Sequence, residues 1–222
     1  MDRQVDSELQ KIENLILKMG NYVEQAVHEA TRALIQREPE RFNKVQELEN
    51  QINQAHIEID ETCLHVLATQ SPLASDLRLV VAAIKINTDL ERMGDQAVNI
   101  SHNGKRYLDE PPLKPLIDIP RMAEEVRFMV REALDAFVRR DASLAQDVLS
   151  RDDSVDALKN QIFRELVTYM ASDPATIERA LNLILIARNL ERLGDHATNI
   201  AEDVIFAVTG QDVRHGGGAA RN

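Results

Sequence analysis

Apolar residues recur every three or four positions along almost the whole chain, the spacing of helices that bury one face. From about Val5 to Arg37 the stripe runs Leu9, Ile12, Leu15, Ile16, Met19, Tyr22, Val23, Ala26, Val27, Ala30, Ala33 and Leu34. After Pro39, placed where a first helical turn tolerates it, a second helix is expected from about Glu40 to Ala68. Its stripe is Phe42, Val45, Leu48, Ile52, Ala55, Ile59 and Leu67. Ser71-Pro72 reads as an N-cap with proline at the first position, opening a third helix from about Leu73 to Tyr107. Asp109-Glu110-Pro111-Pro112, with Pro115 and Pro120, then makes a stiff link.

The pattern begins again beyond that link. Helices are expected over about 121–139, 142–170 and 175–208, with Asp141 and Asp173-Pro174 as start signals and Gly210 as the stop. Residues 88–100 read TDLERMGDQAVNI and residues 188–200 read RNLERLGDHATNI, identical at eight of thirteen positions with an offset of 100. At an offset of 103 the first two helices align on the fourth and fifth: Ala30/Ala133, Ala33/Ala136, Arg37/Arg140, Val45/Val148 and Ile52/Val155. A fixed internal offset marks duplicated architecture. The expected fold is therefore all-α, two homologous three-helix bundles in tandem. They cover residues 1–110 and 121–209, joined by a proline-rich link at 111–120 and followed by a flexible tail at 210–222.

Composition narrows the class further. Eight glycines, seven prolines, no tryptophan and 4% aromatics fit helices better than a sheet sandwich. The single cysteine, Cys63, rules out an internal disulfide and reads as a small core or boundary residue. No apolar run approaches the ~20 residues of a membrane span, and the charged start at Asp2 and Arg3 does not resemble a signal peptide. The expectation is a cytoplasmic protein. A net charge of −11 argues against nucleic acid, and leaves cations or basic partner surfaces.

The candidate chemistry lies in the duplicated motif. Glu91 and Asp95 are four apart and share a helical face, as do Glu191 and Asp195. Arg92 and Arg192 stand about 100° away, where they would not cancel the pair. One turn on, Asn99 and Asn199 add an oxygen donor. On the companion helices, Asp152 and Asp156 align with Glu49 and Asn53, so that each half could gather up to four oxygen groups. Such donors suit hard cations such as Fe³⁺, Mn²⁺, Mg²⁺ or Ca²⁺ rather than structural zinc. A di-iron oxidase pattern fails, because Gly94 and Gly194 stand where it needs histidine. Acidic residues at this spacing more often make a solvated face; it is their duplication in register that points to a site. The two glycines each cost a helix about 1 kcal/mol against alanine, which suggests close helix–helix approach. His28, His56, His65, His102 and His196 have no counterpart in the other half and read as surface or boundary residues. No phosphate loop, nucleophile elbow or catalytic triad is present.

The paired LERMGD and LERLGD segments, with QSPLASDLRLVVAAIKI at 70–86, resemble the PhoU family over about residues 5–208. The resemblance implies a non-enzymatic, cytoplasmic negative regulator of the phosphate response. Such a regulator links the ATPase subunit of a phosphate ABC transporter to a sensor histidine kinase and meets the membrane only through those partners. A homodimer is the family expectation. The family also implies metal bound through acidic motifs, matched here by Glu91, Asp95, Glu191, Asp195, Glu49, Asn53, Asp152 and Asp156. Iron, manganese, magnesium or zinc are the candidate ions. Asn53 departs from the acidic form and weakens the first site. The alternatives are a metal-binding or metal-buffering helical protein, or an accessory of another phosphate transporter.

Overall fold

The computed structural model describes residues 4–213, with side chains from Val5; residues 214–222 of the expected tail lie outside them. Seven helices are described: α1 Gln4–Gln36, α2 Arg41–Thr69, α3 Ala74–Leu108, α4 Asp118–Arg139, α5 Ala142–Leu149, α6 Asp152–Ser172 and α7 Ile177–Thr209. α1–α3 form one three-helix unit and α4–α7 the other, with α5 and α6 together standing where α2 stands in the first. The expected apolar stripes are the core: Ile16, Met19, Val23, Val45 and Ile52 are fully buried, and so are Ala133, Ala136 and Val155 in the second unit.

The repeat extends to how helices end. Arg37 and Arg140, one offset apart, both take left-handed backbone conformations, with φ of 55° and 52°. Each lets the following amide reach back over the helix end, Glu38 N to Ala33 O and Asp141 N to Ala136 O, both at 3.0 Å. Asp141 then caps α5, its carboxylate accepting from Ser143 N and Leu144 N. Gly210, with φ of 74°, closes α7 as expected.

Three local expectations are corrected. Ser71 does not cap α3: it takes a left-handed conformation itself, and the capping position falls to Leu73, which has no side-chain acceptor. Asp173 does cap, accepting from Ala175 N, but it opens a short 3₁₀ turn at Pro174–Thr176 before α7. Pro120 sits inside the first turn of α4, where its missing N–H costs nothing.

The expected helix over 142–170 is broken at Ser150 and Arg151. Ser150 Oγ donates to Asp147 O at 2.7 Å and Ser154 Oγ to Arg151 O at 2.8 Å, hydroxyl bonds that compete with the helical ladder. Arg151 meanwhile reaches Glu125 at 2.9 Å and lies 4.2 Å over the Phe128 ring.

The halves meet through α3 against α7 and α1 against α4. Contacts climbing α3 from Arg78 to Lys85 to Asp89 descend α7 from Ala207 to Asp203 to Asn199, so these helices run antiparallel. On the other pair Arg131 binds Glu24, and Arg127 meets His28 at 3.3 Å. The offset of 103 carries Glu24 onto Arg127 and His28 onto Arg131, so each contact is the image of the other. The two units are thus related by an approximate two-fold axis.

Candidate functional site

The two duplicated motifs lie midway along α3 and α7, each against the companion helix of its own half. The motif glycines bring these helices together. A Cβ on Gly94 would lie 3.2 Å from both Cδ1 and Cγ2 of Ile52, and one on Gly194 3.4 Å from Val155 Cγ1. The same hypothetical atom on Gly194 would sit 3.8 Å from Asp152 Oδ1. Close packing thus delivers the α6 carboxylates to the α7 motif.

In the second half the four expected carboxylates lie close enough for their charges to act on one another. Burial raises the pKa of Asp195, and the charges of Glu191, Asp152 and Asp156 raise it further. Burial likewise pushes Asp152 up, with Asp156, Asp153 and Glu191 adding to it. A basic side chain stands among them. Lys159 Nζ donates to Asp156 Oδ1 at 2.7 Å and to Glu191 Oε1 at 2.9 Å, bridging α6 and α7. Those two hydrogen bonds hold Lys159 firmly protonated, well above the usual lysine range. It was not among the expected site residues, although its place three after Asp156 puts it on the same helical face.

The first half is settled differently. Gln46 donates to Glu49 at 2.9 Å, and Asn53 donates to the other Glu49 oxygen. Arg92, expected to point away, lies along its own helix 3.5 Å from Glu91 and 3.6 Å from Asp95. Its long side chain spans the angle that the backbone geometry sets.

Neither asparagine of the motif joins its cluster. Asn199 is rotated about 80° from Glu191 around α7 and faces α3 instead, donating to Asp89 Oδ1 at 3.2 Å. Asn99 is exposed, its carbonyl accepting from Asn103. His196 is no idle boundary residue: its Nδ1 lies 2.8 Å from the same Asp89 oxygen, across the join between halves. A cleft of about 330 Å³ opens there, lined by Lys85, Thr88, Asp89, Asn199 and Asp203. Asp203, 2% exposed, accepts from Lys85 at 3.0 Å. Only the join of the two halves assembles this group, so spacing within either motif carries no signal for it. Cys63 is fully buried, as expected, and burial pushes its thiol up to about 12.

The donors of the second cluster have the oxygen chemistry a hard cation takes. Their arrangement nevertheless does not fit a metal ion: an ammonium stands between Asp156 and Glu191. Among the described residues no three His, Cys, Asp or Glu side chains converge as a ligand set. What the cluster does as it stands is tie α6 to α7 through one charge. No helix among the described residues is long and apolar enough to cross a membrane.

Comparison with known proteins matches both halves. The PhoU domain family model covers residues 16–103 and 119–204. The phosphate-specific transport system accessory protein PhoU homolog of Pseudomonas putida is 43% identical over 98% of this chain and 85% of its own. Its counterpart in Aquifex aeolicus is 39% identical over 94% of both chains. The crystal structure of PhoU from Pseudomonas aeruginosa superposes with a TM-score of 0.89 at 43% identity, over 93% of this chain and all of that one. The phosphate transport system regulatory protein PhoU from Streptococcus pneumoniae gives 0.88 at 28% identity, covering 95% of this chain and 99% of that one. With the duplicated motif, the two-fold fold and both halves matched, the chain belongs to the PhoU family.

Proposed function

We propose that this chain is a phosphate-transport accessory protein acting without catalysis as a negative regulator of phosphate uptake and of the phosphate-starvation response. The finer reading is an adaptor, cytoplasmic and dimeric, that binds the ATPase subunit of a phosphate ABC transporter and the cytoplasmic region of a sensor histidine kinase. One observation carries it: relatives named as phosphate-specific transport accessory proteins align with this chain from end to end, over 98% of it in one case. Two similar but chemically different halves also suit a protein that meets two partners. In one half Arg92 pairs with the acids of its own helix, and in the other Lys159 bridges two helices.

The test is direct. Purified chain is assayed for binding to the transporter ATPase subunit and to the kinase cytoplasmic region. A strain lacking the gene is followed with a phosphate-regulated reporter. Binding to both partners and reporter expression in high phosphate are expected. Binding to neither, with normal repression in the deletion strain, would remove the adaptor reading.

A further inference from the structure

The family resemblance implies a metal ion in the second acidic cluster, and the residues present do not fit one. Asp152, Asp156, Glu191 and Asp195 lie at the α6–α7 contact within electrostatic reach of one another, and such like charges favour a counter-charge among them. That counter-charge is present and belongs to the chain. The ammonium of Lys159 bonds a carboxylate on each of the two helices, with its side chain 27% exposed.

We propose that Lys159 is the resident cation of the second cluster, an internal substitute that competes with any metal ion for the same carboxylates. Three observations bear on it. Nζ sits between oxygens from different helices, which is where a bridging ion would bind. The device is confined to this half: at the repeat offset the first half carries His56, which pairs with Asp60 of its own helix at 3.6 Å. And the lysine has somewhere to go. A groove of about 320 Å³ opens beside the cluster, lined by Lys159, Phe163, Ile184, Arg188 and Glu191. A cation that captures the carboxylates can therefore displace the ammonium without unfolding the helix pair. The second motif, fully acidic, is then the poorer metal site of an intact chain, for a reason that lies outside the motif.

The experiment reads Mn²⁺ binding by calorimetry on chelator-stripped full-length protein. All variants carry Glu91→Gln and Asp95→Asn, so that only the second cluster reports. Lys159→Gln is expected to bind Mn²⁺ about tenfold or more tighter than its parent, because removing a positive charge raises the net ligand charge. Adding Asp195→Asn should abolish that gain. Lys159→Arg keeps the charge and should stay as weak as the parent, which separates charge from loss of bulk. Circular dichroism and the thermal midpoint are followed in parallel. Lys159→Gln should melt below the parent without metal and recover with Mn²⁺. If the parent binds Mn²⁺ as tightly as Lys159→Gln, or if Lys159→Gln, folded by circular dichroism, gains no binding, the proposal is overturned. If Lys159→Gln does not fold, Lys159→Arg decides: tight Mn²⁺ binding by that variant overturns the proposal and weak binding supports it.

Discussion

The two acidic grooves place the same motif against the same companion helix and neutralise it by different means. In the first, the partners come from the carboxylates' own helices: Gln46 and Asn53 donate to Glu49, and Arg92 forms ion pairs with Glu91 and Asp95. In the second, a single lysine reaches from α6 to α7 and serves both. A duplicated motif therefore fixes where carboxylates stand, while their unmatched neighbours fix what holds them. The first groove relies on packing with its charges settled locally; the second adds an electrostatic tie that hangs on one residue.

Packing is where the comparison has its largest consequences. Ile52 and Val155 fill homologous places beneath Gly94 and Gly194, and both are fully buried. Ile52→Ala is expected to cost about 3 kcal/mol and Val155→Ala about 2 kcal/mol, following the side-chain volume lost. Urea denaturation measures both, and losses below about 1 kcal/mol would remove the glycine contacts as the anchor of either groove. Charge comes next. Lys159→Ala leaves four carboxylates crowded and should cost about 1 kcal/mol. Arg92, with its side chain 58% exposed, should cost at most about 0.5 kcal/mol when replaced by alanine. Added salt should narrow that gap; equal costs would mean that the tie across α6 and α7 is no stronger than a surface pair.

The glycines themselves give an effect of opposite sign. At Gly194 a methyl group would make ordinary contact with Val155, so Gly194→Ala should gain up to about 1 kcal/mol from helix propensity. At Gly94 the methyl would press on Ile52 Cγ2, which sits on a branched carbon and cannot rotate clear. The gain there should vanish. Melting temperatures of the two variants decide it, and equal shifts would count against the tighter first groove.

Much of this was legible in the residues. The period of the apolar stripes places the helices, and the offsets of 100 and 103 place the halves, because burial repeats wherever the backbone repeats. Asp141 and Gly210 act as their chemistry demands. The break at Ser150 and Arg151 was not legible, since helix-compatible residues flank it and the contacts that Arg151 makes there, with Glu125 and Phe128, lie on another helix. Which carboxylates share a helical face was legible, because spacing on a helix fixes phase. The bridge made by Lys159 and the diversion of Asn199 to Asp89 were not, because both depend on which neighbour each face of α7 meets.

The smallest effect is a pH dependence, and its sign is opposite to that of a favourably paired carboxylate. Burial first, and then the neighbouring acids, raise Asp152 and Asp195 above their ordinary value of 3.8. The folded chain therefore holds these two protons more tightly than the unfolded chain. Their contribution to stability is fully present below the unfolded value and is lost as pH rises through the raised folded values. Asp195 is only partly shielded by its neighbours and stays open to water, so screening leaves only a few tenths of a kcal/mol at stake. Asp152→Asn with Asp195→Asn should stabilise the protein more, relative to its parent, at about pH 7 than at about pH 4. The homologous pair Glu49→Gln with Asp95→Asn removes carboxylates that already have partners on their own helices, and should give no such gain. Urea midpoints at the two pH values measure both. A second-half gain that does not change with pH would mean that the crowding of the four carboxylates is relieved by something other than their protons.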